Sequence, residues 1–393
     1  MEGLAAGKHI PALDGVRGLA ILMVIAFHSR VVFSSTTEIP YFVHRLMALG
    51  WAGVDLFFVL SGFLITGILL DSRDSPDYFQ KFYLRRVLRI FPLYFAYLFF
   101  VLVVLRFAWL WHSGRDLWAG TNAWWYVSYL SNWKSDHGFD DLYLGHVWSL
   151  SIEEQFYLVW PAIVWAFPRD KLKWLCLVLA ALGLSARFWM PTLGFSGEAI
   201  YRMTPPRMDT LALGAFAAIG FRDFRASMER WAPWVCIAGG FGILELWYVT
   251  RGPVWSDAPV RTYGVTLIAV VGAAFIVRAA THPSGRLHRF LCLPGLRACG
   301  KYSYAMYVLH LLPFQLTAGM VRVMSGASPL VLALKYLYFP ALAGLAFAVA
   351  WVSWRVLESP FLRLKERWEF VPSKEAPVRF AVSGAAAPQP VDS

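Results

Sequence analysis

The sequence has 393 residues, of which 58% are hydrophobic and 16% charged, and its formal net charge is +11. Soluble globular domains carry about 45–50% apolar and about 25% charged residues, so this composition excludes an ordinary soluble domain. The basic excess does not indicate nucleic acid as a partner, because cytoplasmic loops of membrane proteins are rich in Lys and Arg. The four cysteines show neither disulfide nor metal-ligand spacing, and we expect no metal site.

Apolar segments of helical length follow one another along the chain. The predicted helices are 13–33, 50–70, 90–111, 147–167, 173–190, 205–221, 232–250, 260–280, 302–322 and 329–354. The first is not expected to be a cleavable signal peptide, because it carries charged residues and is long enough to span. The predicted fold class is an all-α polytopic membrane helix bundle of about ten transmembrane helices, within a membrane domain of residues 1–371. Residues 372–393, poor in apolar residues, are predicted to form a disordered cytoplasmic tail.

The distribution of basic residues predicts the orientation. With the N-terminus in the cytoplasm, 24 of the 36 Lys and Arg residues fall on the cytoplasmic side and 12 on the outer side, in agreement with the positive-inside rule. An even number of helices returns the C-terminus to the cytoplasm. The loop 112–146, rich in Trp and Tyr, is predicted to lie on the outer membrane surface.

The first helix carries three ionisable residues, Asp14, Arg17 and His28. Such residues are costly inside apolar spans, so each is a functional hypothesis by default. Arg17 and His28 are eleven residues apart, about three helical turns, and therefore lie on one face. Asp14 precedes Arg17 by one turn and can pair with it. Anchoring at the inner membrane surface explains Arg17 but not His28, so a functional His28 is favoured over a packing role.

Counting along the helices places further ionisable groups near the depth of His28. At about 1.5 Å per residue, Asp55 in the second helix and Glu153 in the fourth fall at a similar level. A histidine with a carboxylate partner is what a general-base site needs, so His28, Asp55 and Glu153 are the predicted catalytic residues. Other pocket candidates are Asp14, Glu154, Arg207, Asp209 and His310. The alternative is a structural ion-pair network between the helices.

On the inner side, the segment LRRVLRIFP precedes the third predicted helix. Arg86 and Arg89 are three residues apart and are therefore neighbours on one helical face. Two such guanidinium groups can bind phosphates bidentately, although ordinary positive-inside charge explains them equally well. Phosphate contacts inside and a base outside would suit a long ligand with a charged head and a reactive tip.

Seven segments carry a resemblance to a known family. They are PALDGVRGLAILMVIAFH, GVDLFFVLSGFLIT, FYLRRVLRIFPLY, HVWSLSIEEQFYLVWP, RMDTLALGA, YSYAMYVLH and LESPF. Over about residues 10–360 the chain resembles the acyltransferase-3 family of integral membrane O-acyltransferases. Each segment is weak alone, but seven in the expected order form a specific signal.

The resemblance implies transfer of an acyl group, commonly acetyl from acetyl-CoA, to a sugar of the cell envelope, an exported saccharide or an antibiotic. The family's Arg-x10-His pair corresponds to Arg17 and His28, which implies an essential histidine. Its Arg-x-x-Arg motif corresponds to Arg86 and Arg89, which implies acyl-CoA binding, with Arg17 as a further phosphate contact. We therefore expect a bacterial inner-membrane enzyme with no permanently bound cofactor.

The expected partners are acyl-CoA as donor, a carbohydrate or glycolipid acceptor such as lipopolysaccharide or exopolysaccharide, and membrane lipid. Some family members append an extracytoplasmic hydrolase-like domain, which this sequence does not contain, so the acceptor is expected to reach the membrane core. His28 would act as a general base on the acceptor hydroxyl or as a covalent acyl relay. The rival function is a transporter or flippase of a sugar or lipid-linked sugar, although no internal repeat is visible.

Overall fold

The computed structural model describes residues 10–33, 40–116, 118, 120–134, 141–252, 254–322, 324 and 328–369. Within these residues the regular structure is entirely helical. The α-helices are α1 (Pro11–Ser29), α2 (Tyr41–Ala48), α3 (Ala52–Asp71), α4 (Tyr78–Phe99), α5 (Arg106–Ser113), α6 (Trp124–Val127), α7 (Asp141–Leu144), α8 (Trp148–Ala166), α9 (Arg169–Trp189), α10 (Gly197–Arg202), α11 (Met208–Asp223), α12 (Arg225–Thr250), α13 (Val265–Thr281), α14 (Arg286–Leu291), α15 (Pro294–Lys301), α16 (Ser303–Leu309), α17 (Leu311–Arg322), α18 (Pro329–Ser353) and α19 (Ser359–Glu369). The predicted tail, 372–393, lies outside the described residues.

Shorter helical segments join several of these elements. The π-helical segments are Phe100–Leu105, Val260–Gly264 and Trp354–Glu358, and the 3₁₀ turns are Arg30–Val32, Leu49–Trp51, Ser131–Trp133, Met190–Leu193 and Pro205–Arg207. A π-helical segment continues α4 into α5, so the helical run from Tyr78 to Ser113 covers 36 residues.

All ten predicted apolar segments are helical, which confirms the all-α bundle, but the count of ten spans is not confirmed. In the described part of the chain, seven helical runs are long and apolar enough to cross a membrane, and an eighth is obtained if α16 and α17 form one bent span. Two predicted spans fall short. The polar run Glu153–Glu154–Gln155 interrupts the apolar length of α8, and α11 has only 16 residues. The chain is nevertheless an integral membrane protein by its apolar helices.

The third predicted helix begins earlier than expected. α4 starts at Tyr78, twelve residues before the predicted start, so the segment with Arg86 and Arg89 lies inside the helix rather than before it. The basic first half of α4 lacks the continuous apolar run by which the prediction was made, yet it still forms regular helix. Arg86 and Arg89 therefore occupy one face of α4, as their spacing requires.

α3 packs against α1, α8, α11 and α13. Its approach to α11 is the closest, because glycines in each helix face the backbone of the other. A methyl group on Gly62 would overlap the carbonyl oxygen of Leu211, and one on Gly214 would overlap that of Val59. Small residues let helix backbones approach in this way, and the resulting van der Waals attraction is a main source of association between membrane helices.

The helical path bends by 52° between α16 and α17. His310 lies at the bend, between the last residue of α16 and the first of α17, and its side chain is fully buried. A break in a membrane helix frees backbone N–H and C=O groups from their helical hydrogen bonds. Such groups must be buried in protein or must line a cavity.

Candidate active site

Three arginines from two helices line a small cavity of about 90 Å³, called here the arginine cavity. Arg17 comes from α1, and Arg86 and Arg89 come from α4, so the structure brings together the three residues predicted to contact phosphates. The buried Nε of Arg86 has no hydrogen-bond partner within the described residues. An unsatisfied buried guanidinium group favours an anionic ligand, because leaving a charged donor unpaired is costly.

Glu153 and Glu154 of α8 also line the arginine cavity. Glu153 accepts a hydrogen bond from Ser61 Oγ at 2.6 Å, and Ser61 lies 3.1 Å from the Tyr157 hydroxyl. Asp14 forms an ion pair with Arg17 at 3.9 Å, which agrees with the one-turn spacing between them. The predicted carboxylate Glu153 therefore lies with the arginines.

A second cavity, of about 410 Å³, contains His28 and is called here the histidine cavity. His146, which precedes α8, lines the same cavity. The predicted partners of His28, Asp55 and Glu153, are absent from its described lining. Glu153 follows His146 by seven residues, about two turns or roughly 10 Å along the helix, which explains why it reaches the other cavity.

His28 is oriented by the backbone. Its Nδ1 lies 2.9 Å from the carbonyl oxygen of Val24, one turn earlier in α1. A carbonyl oxygen can only accept, so Nδ1 carries the hydrogen and Nε2 of the neutral ring keeps its lone pair. A carbonyl thus provides the orientation for which the sequence had predicted a carboxylate, and Nε2 is the atom available as a base.

His310 packs between the two histidines of the cavity. Its ring centroid lies 4.9 Å from that of His28 and 5.1 Å from that of His146, both edge to face. His310 Nδ1 donates to the Tyr307 carbonyl at 2.7 Å, and His146 Nε2 donates to the Val308 carbonyl at 3.0 Å. Their remaining ring nitrogens are buried without a partner among the described groups. Across the part of the chain that the structure describes, no group of three or more His, Cys, Asp or Glu side chains is arranged to hold a metal ion.

Sequence reasoning did not single out His146. The available signal was its position two residues before an apolar helix that also carries two glutamates, in the segment GHVWSLSIEEQ. Its burial brings it next to His310, which lies at the bend, and the local signal for that bend is Pro313, four residues after Leu309.

The two cavities share a wall. Val54 of α3 and Tyr307 of α16 line both of them. The Tyr307 hydroxyl lies 2.6 Å from Ser149 Oγ and donates to the His146 carbonyl oxygen at 3.0 Å. Ser149 lines the arginine cavity and His146 the histidine cavity, so these hydrogen bonds hold Tyr307 between the two.

Asp55, Arg207 and Asp209 belong to a buried ion-pair network instead of either cavity. Asp55 accepts a hydrogen bond from Arg207, and both side chains are fully buried. Asp209 pairs with Arg187 at 2.6 Å and accepts a hydrogen bond from Thr266 at 2.6 Å. These groups join α3, α9, α11 and α13. This arrangement fits the structural alternative considered for them, and Arg187 is a member that the sequence analysis did not identify.

The loop 112–146 contributes to the histidine cavity, but none of its described Trp, Tyr or Phe residues lines that cavity. Asp141, Leu142, Gly145 and His146 line the cavity from this loop. Trp118 is buried and stacks instead on Tyr143, with centroids 6.3 Å apart. The aromatic rings that do line the cavity include Tyr201 and Trp255, which lie elsewhere in the chain.

The comparisons with known proteins agree with this architecture. The acyltransferase-3 family, described as an acyltransferase domain, matches residues 10–355. The chain is 30% identical over 332 residues to the O-acetyltransferase OatA of Staphylococcus aureus, which covers 79% of this chain and 51% of the relative. It is 30% identical over 326 residues to the peptidoglycan O-acetyltransferase OatA of Listeria monocytogenes, covering 77% and 49%.

The chain spans about half the length of the curated relatives it matches. No solved structure shows significant similarity to it. These relatives give no support to the transporter alternative, because both are named acetyltransferases. A family match over most of the chain, on a bundle of apolar helices with ionisable side chains in two of its cavities, identifies the chain as a member of the acyltransferase-3 family of membrane acyltransferases.

Proposed function

We propose that the protein transfers an acetyl group from acetyl-CoA to a hydroxyl of a cell-envelope or exported carbohydrate. The observation that carries the proposal is the pair of cavities separated by one wall. The arginine cavity offers groups for phosphates, the histidine cavity offers a base, and Val54 and Tyr307 lie between them. A donor with an anionic head and a distant reactive carbonyl suits this arrangement.

The anionic head of acetyl-CoA would bind at the arginine cavity. Arg17, Arg86 and Arg89 present guanidinium groups from two helices, and bidentate contacts to phosphate oxygens are the strongest hydrogen bonds that such groups form. The cavity of about 90 Å³ is too small for the whole nucleotide, so the adenosine would remain outside it. The pantetheine arm would pass the wall and bring the thioester to His28.

In the chemical step, Nε2 of His28 takes the proton of the acceptor hydroxyl as its oxygen attacks the thioester carbonyl. The new C–O bond forms, the C–S bond breaks, and the departing thiolate receives the proton from His28, which releases CoA thiol. The Val24 carbonyl holds the Nδ1–H and thereby presents Nε2 throughout. In the alternative route Nε2 attacks the thioester first, the C–S bond breaks and CoA departs as thiolate. The acceptor oxygen then attacks the acetyl group of acyl-His28, the N–C bond breaks, and the hydroxyl proton passes to the thiolate.

The predicted catalytic roles of Asp55 and Glu153 are less direct in this proposal. Glu153, with Glu154, would help to place the arginines around the phosphates, since all of them line one cavity. Asp55 would act through Arg207, which it binds. Both therefore enter the proposal as positioning residues.

The acceptor class is inferred from the relatives. One is named a peptidoglycan O-acetyltransferase, and the other an O-acetyltransferase. Peptidoglycan-type glycans are therefore the first acceptors to test, ahead of lipopolysaccharide and exopolysaccharide. We infer further that the protein lies in the bacterial inner membrane with both termini cytoplasmic, that the donor enters from the cytoplasm, and that the acceptor enters from outside.

Reconstitution tests the proposal. Purified protein in lipid vesicles, supplied with radiolabelled acetyl-CoA and chitotetraose, should produce labelled saccharide with one CoA thiol released per acetyl group transferred. Vesicles supplied with acetyl-CoA alone provide the hydrolysis background. In a parallel assay with tritiated chitotetraose and no acetyl-CoA, accumulation of the saccharide inside the vesicles would instead identify a transporter. Failure to release CoA above background in the first assay would refute the acyl-CoA donor.

A further inference from the structure

We propose that the histidine cavity contains a binding site for one uncharged pyranose ring of the acceptor, formed by Trp255, which stacks on Tyr201, and by Arg202. This inference rests on the proposed function and assigns residues to its acceptor. The cavity volume of about 410 Å³ lies within the range of about 300–1,000 Å³ that is usual for small-molecule sites.

Three tryptophans of the cavity pack against the ring of Tyr201. Its ring stacks on that of Trp255 with centroids 4.8 Å apart and an interplanar angle of 28°. Trp148 lies 5.1 Å from Tyr201 and Trp51 lies 6.1 Å from it. The Arg207 guanidinium also lies over the Tyr201 ring, 4.9 Å from its centroid. The rings are thereby held in place before any ligand binds, which lowers the entropic cost of binding.

A charged group of the same cavity complements these rings. Arg202 pairs with Glu198 at 2.7 Å and with Asp141 at 3.8 Å, and all three line the cavity. Glu198, Tyr201 and Arg202 belong to one short helix, α10, so the aromatic and the charged groups keep a fixed relation. Carboxylate oxygens accept hydrogen bonds from hydroxyls, and guanidinium groups donate to them.

This combination matches the chemistry of a pyranose. Such a ring has an apolar face of C–H groups, which packs on an aromatic face, and hydroxyls around its edge. The described charged groups of the cavity are Arg30 and Arg202 against Asp141 and Glu198, so the two signs balance. A polyanionic or polycationic glycan would meet like charge there, whereas an uncharged ring would not. A hydroxyl of the bound ring would then lie beside His28 in the same cavity, where Nε2 can accept its proton.

The test compares Trp255 variants in vesicles with chitotetraose as acceptor. We expect Trp255→Ala to raise the KM for chitotetraose about tenfold, the upper range for loss of an aromatic contact, and Trp255→Phe to restore most of it. The affinity for acetyl-CoA, whose phosphates bind in the arginine cavity, should stay at the wild-type value, which also shows that the variants fold. Trp111→Ala, at a residue 92% exposed, is the matched control.

Direct binding separates this inference from the proposed function. Calorimetry with wild-type protein and chitotetraose, without acetyl-CoA, should show binding that Trp255→Ala weakens, and weaker binding of oligogalacturonate and of deacetylated chitotetraose. Such binding without acetyl transfer would support the site and refute the function. Normal transfer with an unchanged KM in Trp255→Ala would refute the site alone, as would preferential binding of a charged oligosaccharide.

Discussion

His28 has one ring nitrogen engaged and one free, and this difference determines what the residue can do. The Val24 carbonyl occupies Nδ1, so Nε2 alone is available to a substrate. His310 and His146 show the same pattern with other carbonyls, so the backbone orients all three rings of the cluster. A backbone carbonyl is a permanent part of the helix, and orientation by it survives changes to the neighbouring carboxylates.

We expect His28→Ala to reduce acetyl transfer by about 10²–10⁴-fold, the contribution typical of a general base. Binding of acetyl-CoA and the melting temperature should change little, because the half-buried ring lines a cavity. His112→Ala, at an exposed position in α5, serves as the control. Turnover of His28→Ala near the wild-type rate would remove His28 from the mechanism.

The second prediction for single residues compares two arginines of the arginine cavity with a neighbouring arginine outside it. Replacing Arg86 and Arg89 together with Gln should weaken acetyl-CoA binding by about tenfold or more, because two charge-assisted phosphate contacts are lost. Arg85→Gln is the matched control, since Arg85 is the adjacent basic residue in α4 and is not among the described residues that line the arginine cavity. Equal affinities of both variants in a binding titration would assign Arg86 and Arg89 to ordinary positive-inside charge.

At the scale of helices, the buried ion pairs fix which helices are neighbours. Apolar contacts alone do not select one neighbouring helix over another. α3 carries Asp55, and the segment that opens α11 carries Arg207, so one pair joins the two helices whose glycines also interlock. Arg187 and Asp209 extend the network to α9, and Thr266 extends it to α13. A charged pair in a membrane interior is stable only while both partners remain.

We therefore predict that Asp55→Asn destabilises the protein by about 3 kcal/mol or more, since it leaves Arg207 buried without its counter-charge. Thermal unfolding in detergent measures this, and turnover per folded molecule at low temperature should remain measurable. In the double variant Asp55→Asn with Arg207→Gln the loss should be smaller than the sum of the single losses. A stable Asp55→Asn protein without activity would restore Asp55 to the catalytic group.

For the molecule as a whole, the predicted orientation remains to be tested. Alkaline phosphatase fused after residue 135 should be active in the periplasm, and the same enzyme fused after residue 82 should be inactive, because the basic residues favour a cytoplasmic N-terminus. A fusion after residue 166, at the opposite end of α8 from His146, tests whether this helix crosses the membrane. If it does, the fused enzyme should be inactive. Activity after residue 166 would place both ends of α8 on one side.

The helices were predictable from sequence, whereas the grouping of their polar residues was only partly so. Apolar runs reveal helices because burial requires them. The eleven-residue spacing placed Arg17 on the face of His28, whereas in the structure Arg17 lines the arginine cavity and His28 lines the histidine cavity. Depth along a helix does not give direction, however, since adjacent residues point about 100° apart. Val54 lines both cavities, while its neighbour Asp55 turns to Arg207. The bend at His310 does have a local signal, because Pro313 cannot donate a backbone hydrogen bond to Leu309 and its ring clashes with that carbonyl.

The wall formed by Val54 and Tyr307 has an electrical consequence. If each cavity admits water from its own side, most of the membrane potential falls across these two side chains, and the wall must prevent the passage of protons. We predict that Val54→Gly in vesicles increases the decay rate of an imposed pH gradient, read with an entrapped pH-sensitive dye, and that added acetyl-CoA slows the decay. Val104→Ala, at an exposed residue, should show no change. An unaltered decay in Val54→Gly would mean that a barrier other than this wall keeps the two sides of the membrane insulated.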